Sequence, residues 1–342
     1  MSPERWQQIT GQYSRLRIAV LGDFCLDRYL EIDPAKQETS IETGLPVHNV
    51  INVRPQPGGA GTILNNLSAL GVGTIYPIGF AGFDGEGFEL WTALEKRSGV
   101  DMQCFVRTDR RRTFTYCKPL LLETGKAPLE LNRLDSKNWT PTPAPVEELL
   151  MNSVRGVAGF ADALIVLDQV SLPNTGVVTQ NVLAAVGQLA RANPDLFILA
   201  DSRCGLQGYP PVVFKMNGSE LSALTGSAVL LGFDQIKEQA RALAHNNQRR
   251  VFVTLAEKGL MGASPNGEVQ HVAALPLRGE IDIVGAGDAV SANLTAAIAA
   301  GANVLEALEL ANAAASVVIH KLGTTGTANT DEITRLLLER AG

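Results

Sequence analysis

Cysteine is scarce in these 342 residues, and Cys25, Cys104, Cys117 and Cys204 stand far apart. No C-x-x-C pair occurs, which excludes the ligand spacing of a structural zinc site and the density of a disulfide scaffold. Reduced thiols in a cytoplasmic protein are the expectation. Histidine is as sparse: His48, His245, His271 and His320 are scattered singly, without the pairing a metal centre or a nucleophilic triad needs. Positive charge is not in excess. Lys plus Arg number 29 and Asp plus Glu 35, a net charge of −6, so nucleic acid is not an expected partner. No basic run offers a hold on an anionic membrane surface. No apolar run is long enough to span a bilayer, and the polar start Met1-Ser2-Pro3-Glu4 lacks the apolar stretch of a signal peptide. The ATPase pattern G-x-x-x-x-G-K-[ST] is absent.

What is present alternates. Residues 17–23, RIAVLGD, read as a buried strand running into a loop, and 163–167, 196–200 and 251–255 are further apolar runs suited to buried parallel strands. Between them lie stretches of helical period. Ile63, Leu64, Leu67 and Leu70 are followed by Gly71 as a C-cap, and 85–98, 176–192, 234–245 and the Ala-rich 285–320 have the same character. Residues 74–81 read as a strand. Such alternation predicts an α/β domain, with a mostly parallel sheet flanked by helices. Two excursions, near 28–57 and 103–134, are instead β-rich and broken by Pro and Gly. They read as short strands that pair into a small β-sheet lid. The domain is expected to occupy 15–335, with 1–14 as an N-terminal extension.

The sharpest chemical signal is Asp282-Ile283-Val284-Gly285-Ala286-Gly287-Asp288, followed by an apolar helix. Glycines allow a tight turn with N–H groups pointing outward. A helix start adds unpaired donors and a positive partial charge. Asp288 then aims a carboxylate at the same spot, and one base beside one anion hole is what phosphoryl transfer to a hydroxyl requires. The plain alternative is a Gly-rich turn capped by an acid. A dinucleotide fingerprint fails, because Val290 stands where its third glycine belongs. Three further features are ambiguous when taken singly. Asn217 and Glu220, three apart after a strand, suit either Mg²⁺ or a helix capping box. Thr254, Lys258 and Gly259 suit either a nucleotide-phosphate turn or a plain hairpin. Gly58-Gly59, Asn65, Asp23 and Asp27 suit either a polyol site or a helix cap and loop acids. Arg110-Arg111-Arg112 reads as a solvated turn, with a clamp on a substrate phosphate as the other reading.

The order of these motifs is more specific than any one of them. Gly22-Asp23, the di-glycine helix start, Gly82-Phe83-Asp84-Gly85, N-x-x-E, T-x-x-E-x-G and D-x-x-G-A-G-D follow one another as in the ribokinase-like (PfkB) carbohydrate kinases, and the chain resembles that family throughout 15–335. The resemblance implies the ribokinase-like fold and ATP-dependent phosphorylation of a sugar. It implies Asp288 as base and the amides of Gly285, Ala286 and Gly287 as anion hole. Asn217 and Glu220 would organise Mg²⁺ through water, and Thr254, Glu257, Gly259 and Asn312 would serve the nucleotide. Asp23, Asp27, Gly58, Gly59, Asn65 and Arg133 would contact the sugar, a monovalent cation such as K⁺ would lie near Asp282, and the lids would pair in a homodimer. The stretches GDFCLDRYL, ETSIETGLPV, RPQPGGAG and NRLD, with NAAASVVIHKLGT at 312–324, are similar to the heptose 7-phosphate kinase branch, which phosphorylates the anomeric oxygen. Thr62, Val284 and the Asp168-Gln169-Val170-Ser171 segment depart from that branch. They leave open a kinase for another sugar or nucleoside, or a catalytically silent binder.

Overall fold

The computed structural model describes residues 1–227, 231–323 and 325–338. Its strands are β1 (Arg17–Gly22), β2 (Phe24–Ile32), β3 (Glu38–Thr39), β4 (Pro46–Val47), β5 (Val50–Gly59), β6 (Thr74–Gly82), β7 (Phe105–Thr108), β8 (Phe114–Leu121), β9 (Leu129–Glu130), β10 (Leu134–Ser136), β11 (Ala163–Asp168), β12 (Phe197–Ser202), β13 (Val213–Asn217), β14 (Val251–Thr254), β15 (Leu260–Ala263) and β16 (Val269–Val272). Its helices are α1 (Pro3–Thr10), α2 (Ala60–Ala69), α3 (Gly85–Glu95), α4 (Ala144–Phe160), α5 (Gln180–Ala192), α6 (Gly218–Leu224), α7 (Phe233–Asn247), α8 (Ala286–Ala299), α9 (Val304–Val318) and α10 (Thr330–Leu338).

A nine-stranded sheet runs β16-β15-β14-β13-β12-β11-β1-β6-β7. Its strands are parallel from β7 to β14, and β15 and β16 close the far edge antiparallel. Central strands covered on both faces have no need to alternate, so Ile18, Ala19, Val20 and Leu21 are all fully buried. Helices α1, α2, α8, α9 and α10 supply one core layer, through Trp6, Ile63, Leu294, Leu308 and Ile333 among others. Helices α4 to α7 supply the other, through Leu150, Val186, Leu221 and Ala240. The chain leaves β1 toward β6 on one side and later returns to β11 on the other. The crevice of such a sheet opens where the direction reverses, at the carboxyl ends of β1 and β11.

The lid is a five-stranded sheet, β10-β8-β2-β5 with β9 beside β8. Its strands are longer than the proline spacing suggests, because Pro55 and Pro57 lie on the edge strand β5, where a missing N–H breaks no ladder. Residues 105–108, expected in the lid, instead form β7 and extend the main sheet beside β6. The Ala-rich 285–320 stretch is two helices, separated at Gly301, where φ is +86°. Residues 3–10 form a helix that shares the core: Trp6 and Ile9 are buried, and Arg5 pairs with Glu306 at 2.8 Å. Arg111 is not solvated. Only 6% exposed, it donates to the carbonyls of Thr140 (2.8 Å) and Thr175 (2.7 Å), which staples the loops at the base of the lid.

Candidate active site

Helix α8 starts without a cap. Gly285 precedes it at φ +82°, a left-handed conformation, and a Cβ there would meet Thr325 Cγ2 at 2.7 Å, so only glycine fits. No side chain of a described residue caps the first turn. The Ala286 amide turns back to the Ile283 carbonyl at 3.2 Å. That removes Ala286 from the expected anion hole and leaves the amides of Gly287 and Asp288 as open donors. The Asp288 carboxylate accepts no hydrogen bond from a described residue. Burial, more than any neighbour, pushes its pKa up to about 7; Lys215 pulls it down, while Asp201 and Asp27 push it further up.

Behind this helix start lies a pair that motif reading passed over. Lys215 of β13, 6% exposed, donates to Asp201 Oδ2 of β12 at 2.6 Å, and Ser291 Oγ of α8 reaches the same oxygen at 3.2 Å. Burial lowers the Lys215 ammonium, but Asp201, Asp288 and Glu220 outweigh it, so the group stays charged. Nζ comes within 3.1 Å of the point where a Cβ on Gly287 would sit. A fixed cation therefore stands beside the open amides and the bare carboxylate. Arg203, after β12, adds positive charge within reach of Asp288 and of Tyr116 in the lid.

The residues expected to hold a sugar divide. Asp27 lies at the base of the lid, with Oδ1 3.4 Å from Lys118 Nζ. Burial raises its pKa against the pull of Lys118 and Arg133. A Cβ on Gly58 would sit 2.8 Å from Asp27 Oδ2, so the bare backbone there makes room for the carboxyl group. Asn65 donates to the Pro57 carbonyl at 3.2 Å, and its Oδ1 is a buried acceptor without a partner among the described residues, fit to receive a ligand hydroxyl. Arg133 is exposed and bidentate to Asp135. Gly59 takes φ +57° and packs against the Asp23 carbonyl. Asp23 itself does not face the cleft. It is fully buried, and its oxygens accept the amides of Val177 (2.6 Å), Gln169 (2.9 Å) and Val170 (3.2 Å). Its carboxyl anchors the loop after β11, and we leave it out of the sugar set. Burial, with Asp168 adding to it, raises its pKa to about 7.

Asn217 and Glu220 form a capping box at the start of α6. Asn217 Oδ1 accepts the Glu220 amide at 2.9 Å, and Glu220 Oε2 accepts the Asn217 amide at 2.7 Å. Direct ligation of a metal by both would break this cap. Glu220 Oε1 stays open, in a place where burial raises the pKa of the carboxyl group. That fits Mg²⁺ held through water, since the ion keeps most of its own shell. Thr254 ends β14, and the turn to antiparallel β15 is the hairpin reading realised, with Glu257 exposed in it. Gly259, at φ +91°, packs on the Val272 carbonyl. Asn312 is buried and donates to the Ala273 carbonyl at 2.9 Å, fixing the segment after β16. Asp282 Oδ1 accepts the Val284 amide at 3.0 Å, and its own amide donates to the Ile319 carbonyl at 2.8 Å. Thr324, the last residue of the 312–324 stretch, lies outside the described residues.

A bare carboxylate, a buried ammonium and two open amides around one point have the chemistry to receive a phosphoryl group, and the fold that carries them is that of the carbohydrate kinases. The pfkB family of carbohydrate kinases matches residues 17–331, and the chain belongs to that family. It is 28% identical to the bifunctional protein HldE of Pelobacter propionicus over 97% of this chain and 66% of the relative. With its counterpart from Gluconacetobacter diazotrophicus it shares 29% identity over 94% and 63%. The chain thus spans slightly less than two thirds of the length of these relatives. Among solved structures, Arabidopsis thaliana ribokinase complexed with ribose and ATP superposes with a TM-score of 0.68 at 20% identity, covering 94% of this chain and 98% of that one. Phosphofructokinase-2 from Escherichia coli in complex with potassium gives 0.71 at 19%, covering 96% and 100%. These likenesses show the ribokinase-like fold.

Proposed function

We propose that this chain transfers the γ-phosphoryl group of ATP to a hydroxyl of a sugar or sugar phosphate, with Asp288 as general base. The observation that carries the reading is the Asp288 carboxylate, which accepts no hydrogen bond from a described residue and is raised to about 7 by burial, at the start of α8 beside Lys215. A base is most effective when its pKa lies near the working pH. Asp288 takes the proton of the attacking hydroxyl. The amides of Gly287 and Asp288, with Lys215, offset charge on the phosphoryl group as it moves. Asn65 and Asp27 orient the acceptor, and the lid excludes water so that ATP is not hydrolysed. Mg²⁺, held through water at Glu220, would offset further phosphate charge. A monovalent cation such as K⁺ would sit beside Asp282, whose Oδ2 has no partner among the described residues.

Similarity to the HldE proteins supports heptose 7-phosphate as the first acceptor to try. The edge strand β5, with exposed Val50, Ile51 and Val53, supports a homodimer through the lid; sedentation as a monomer at micromolar concentration would count against it. No helix among the described residues is long and apolar enough to cross a membrane, in keeping with work in the cytoplasm. The test is mass-spectrometric detection of ATP-dependent product on hexoses, pentoses, nucleosides and heptose 7-phosphate. A phosphorylated product establishes the kinase and names its acceptor. No product from any of them turns the reading to a silent binder, the alternative that Thr62, Val284 and Gln169 favour and an intact Asp288 opposes.

A further inference from the structure

Strand β12 sorts its side chains by parity. Ile198 and Ala200 belong to the core layer of α4 to α7, whereas Phe197 and Leu199 pack with the layer of α8 and α9. Asp201 continues the second row, where Ser291 of α8 donates to it. The ladder does not stop at Ser202. Arg203 still donates its amide to the Asp168 carbonyl of β11 at 2.9 Å. Its side chain therefore takes the next place in the row, on the α8 side. Two residues of strand put it about 7 Å beyond Asp201, toward the crevice at the carboxyl end of the sheet.

The backbone at Arg203 is pinned on both sides. The Gly205 amide closes onto the Ser202 carbonyl at 3.1 Å, and the Cys204 amide donates to Ser202 Oγ at 3.2 Å. The side chain is exposed, and its guanidinium meets no acceptor among the described residues. Other cations of the cleft and lid are spoken for: Lys215 by Asp201, Lys118 by Asp27 and Arg133 by Asp135. The charge of Arg203 reaches Asp288 at the start of α8 and Tyr116 in the lid, so it stands between body and lid. A phosphoryl group in transfer spreads its charge over three equatorial oxygens. The open amides of α8 and the ammonium of Lys215 supply donors from within the body, and Arg203 supplies a planar fork of donors from the mouth.

Resting on the kinase reading above, we infer that Arg203 is a further catalytic residue, whose guanidinium donates to the γ-phosphoryl oxygens as that group passes to the acceptor. The acceptor oxygen bonds to the γ-phosphorus while the bond from phosphorus to the β,γ-bridging oxygen breaks. ADP leaves with the electron pair, and the hydroxyl proton passes to Asp288. Arg203 exchanges no proton. It offsets charge that is greatest while the group is in flight.

The test is the single-turnover rate on the acceptor found in the panel, for wild type, Arg203→Ala and Arg203→Lys. Arg203→Ala should lower the rate about a hundredfold, the scale of losing one preorganised donor, with KM for ATP and acceptor changed only a few-fold. Arg203→Lys should keep part of the rate. Methylguanidinium, below denaturing concentration, should rescue Arg203→Ala and leave Asp288→Asn unrescued. The side chain is exposed, so the urea midpoint should not move. A purely electrostatic role gives a different pH profile. Without Arg203, Lys215 alone opposes burial, Asp201 and Asp27 in setting the Asp288 carboxyl, so the acid limb moves to higher pH. If that were the whole effect, wild-type rate would return above the limb; contact with the phosphoryl group keeps the deficit on the plateau. Full recovery at high pH, a loss confined to the KM of the acceptor, or an unchanged rate overturns the assignment while leaving the kinase intact. Absence of product from wild type with every acceptor overturns the kinase reading, and this role with it.

Discussion

Two helices begin within the same cleft and spend their first-turn amides in opposite ways. At α6, Asn217 and Glu220 close a reciprocal box, so the donors are satisfied within the protein. At α8, Gly285 has no side chain to offer and the donors of Gly287 and Asp288 stay open. The acids nearby repeat the contrast. Asp23 and Asp288 are both raised to about 7 by burial, yet Asp23 accepts three backbone amides and Asp288 accepts none from a described residue. Unmet hydrogen-bonding capacity marks where a ligand belongs, whereas a shifted pKa alone does not separate structural acids from reacting ones.

The comparison can be broken most forcefully at the pair supporting α8. Lys215→Met leaves Asp201 buried without its cation and should cost about 3–5 kcal/mol in urea unfolding, with Asp201→Asn in the same background recovering much of it. Without Lys215 the pKa of Asp288 rises further, so the acid limb of the rate profile should move to higher pH. Asp23→Asn turns an NH₂ group toward amide donors and should cost about 2 kcal/mol, visible as a lower urea midpoint. Asn217→Ala removes a cap worth about 1 kcal/mol and should leave turnover at saturating substrate largely intact. If it abolishes turnover instead, Asn217 does more than cap α6.

Stability against pH tests the same comparison from the side of the acids. A carboxyl raised from its ordinary 3.8 to about 7 binds its proton more tightly in the folded state. Its contribution is therefore full below about pH 4 and is lost as pH rises toward 7, then stays flat. Thermal unfolding followed from pH 5 to 8.5 should show the melting temperature falling through that window, and Asp288→Asn should flatten part of the slope. A melting temperature that rises across the window contradicts the burial of both acids.

The site was legible in sequence where its chemistry is local. Gly285 through Asp288 declare a turn, a helix start and an acid within four residues. The Lys215–Asp201 pair was not legible, because its partners lie 14 residues apart and meet only when β12 and β13 pair. Asp23 misled for a related reason. An acid after a strand looks like a ligand group until the loop at 169–177 folds over it. The lid strands were underestimated because Pro55 and Pro57 read as breakers, and only the sheet order reveals that β5 is an edge. Arg111 looked solvated because its carbonyl partners come from 29 and 64 residues away.

The most direct test of Asp288 as base is turnover of the acceptor found in the panel, measured from pH 5 to 9 for wild type and Asp288→Asn. The wild type should gain rate through an acid limb near pH 7. The variant should lose at least two orders of magnitude, lack that limb and still bind ATP. Near wild-type turnover by Asp288→Asn would contradict the account.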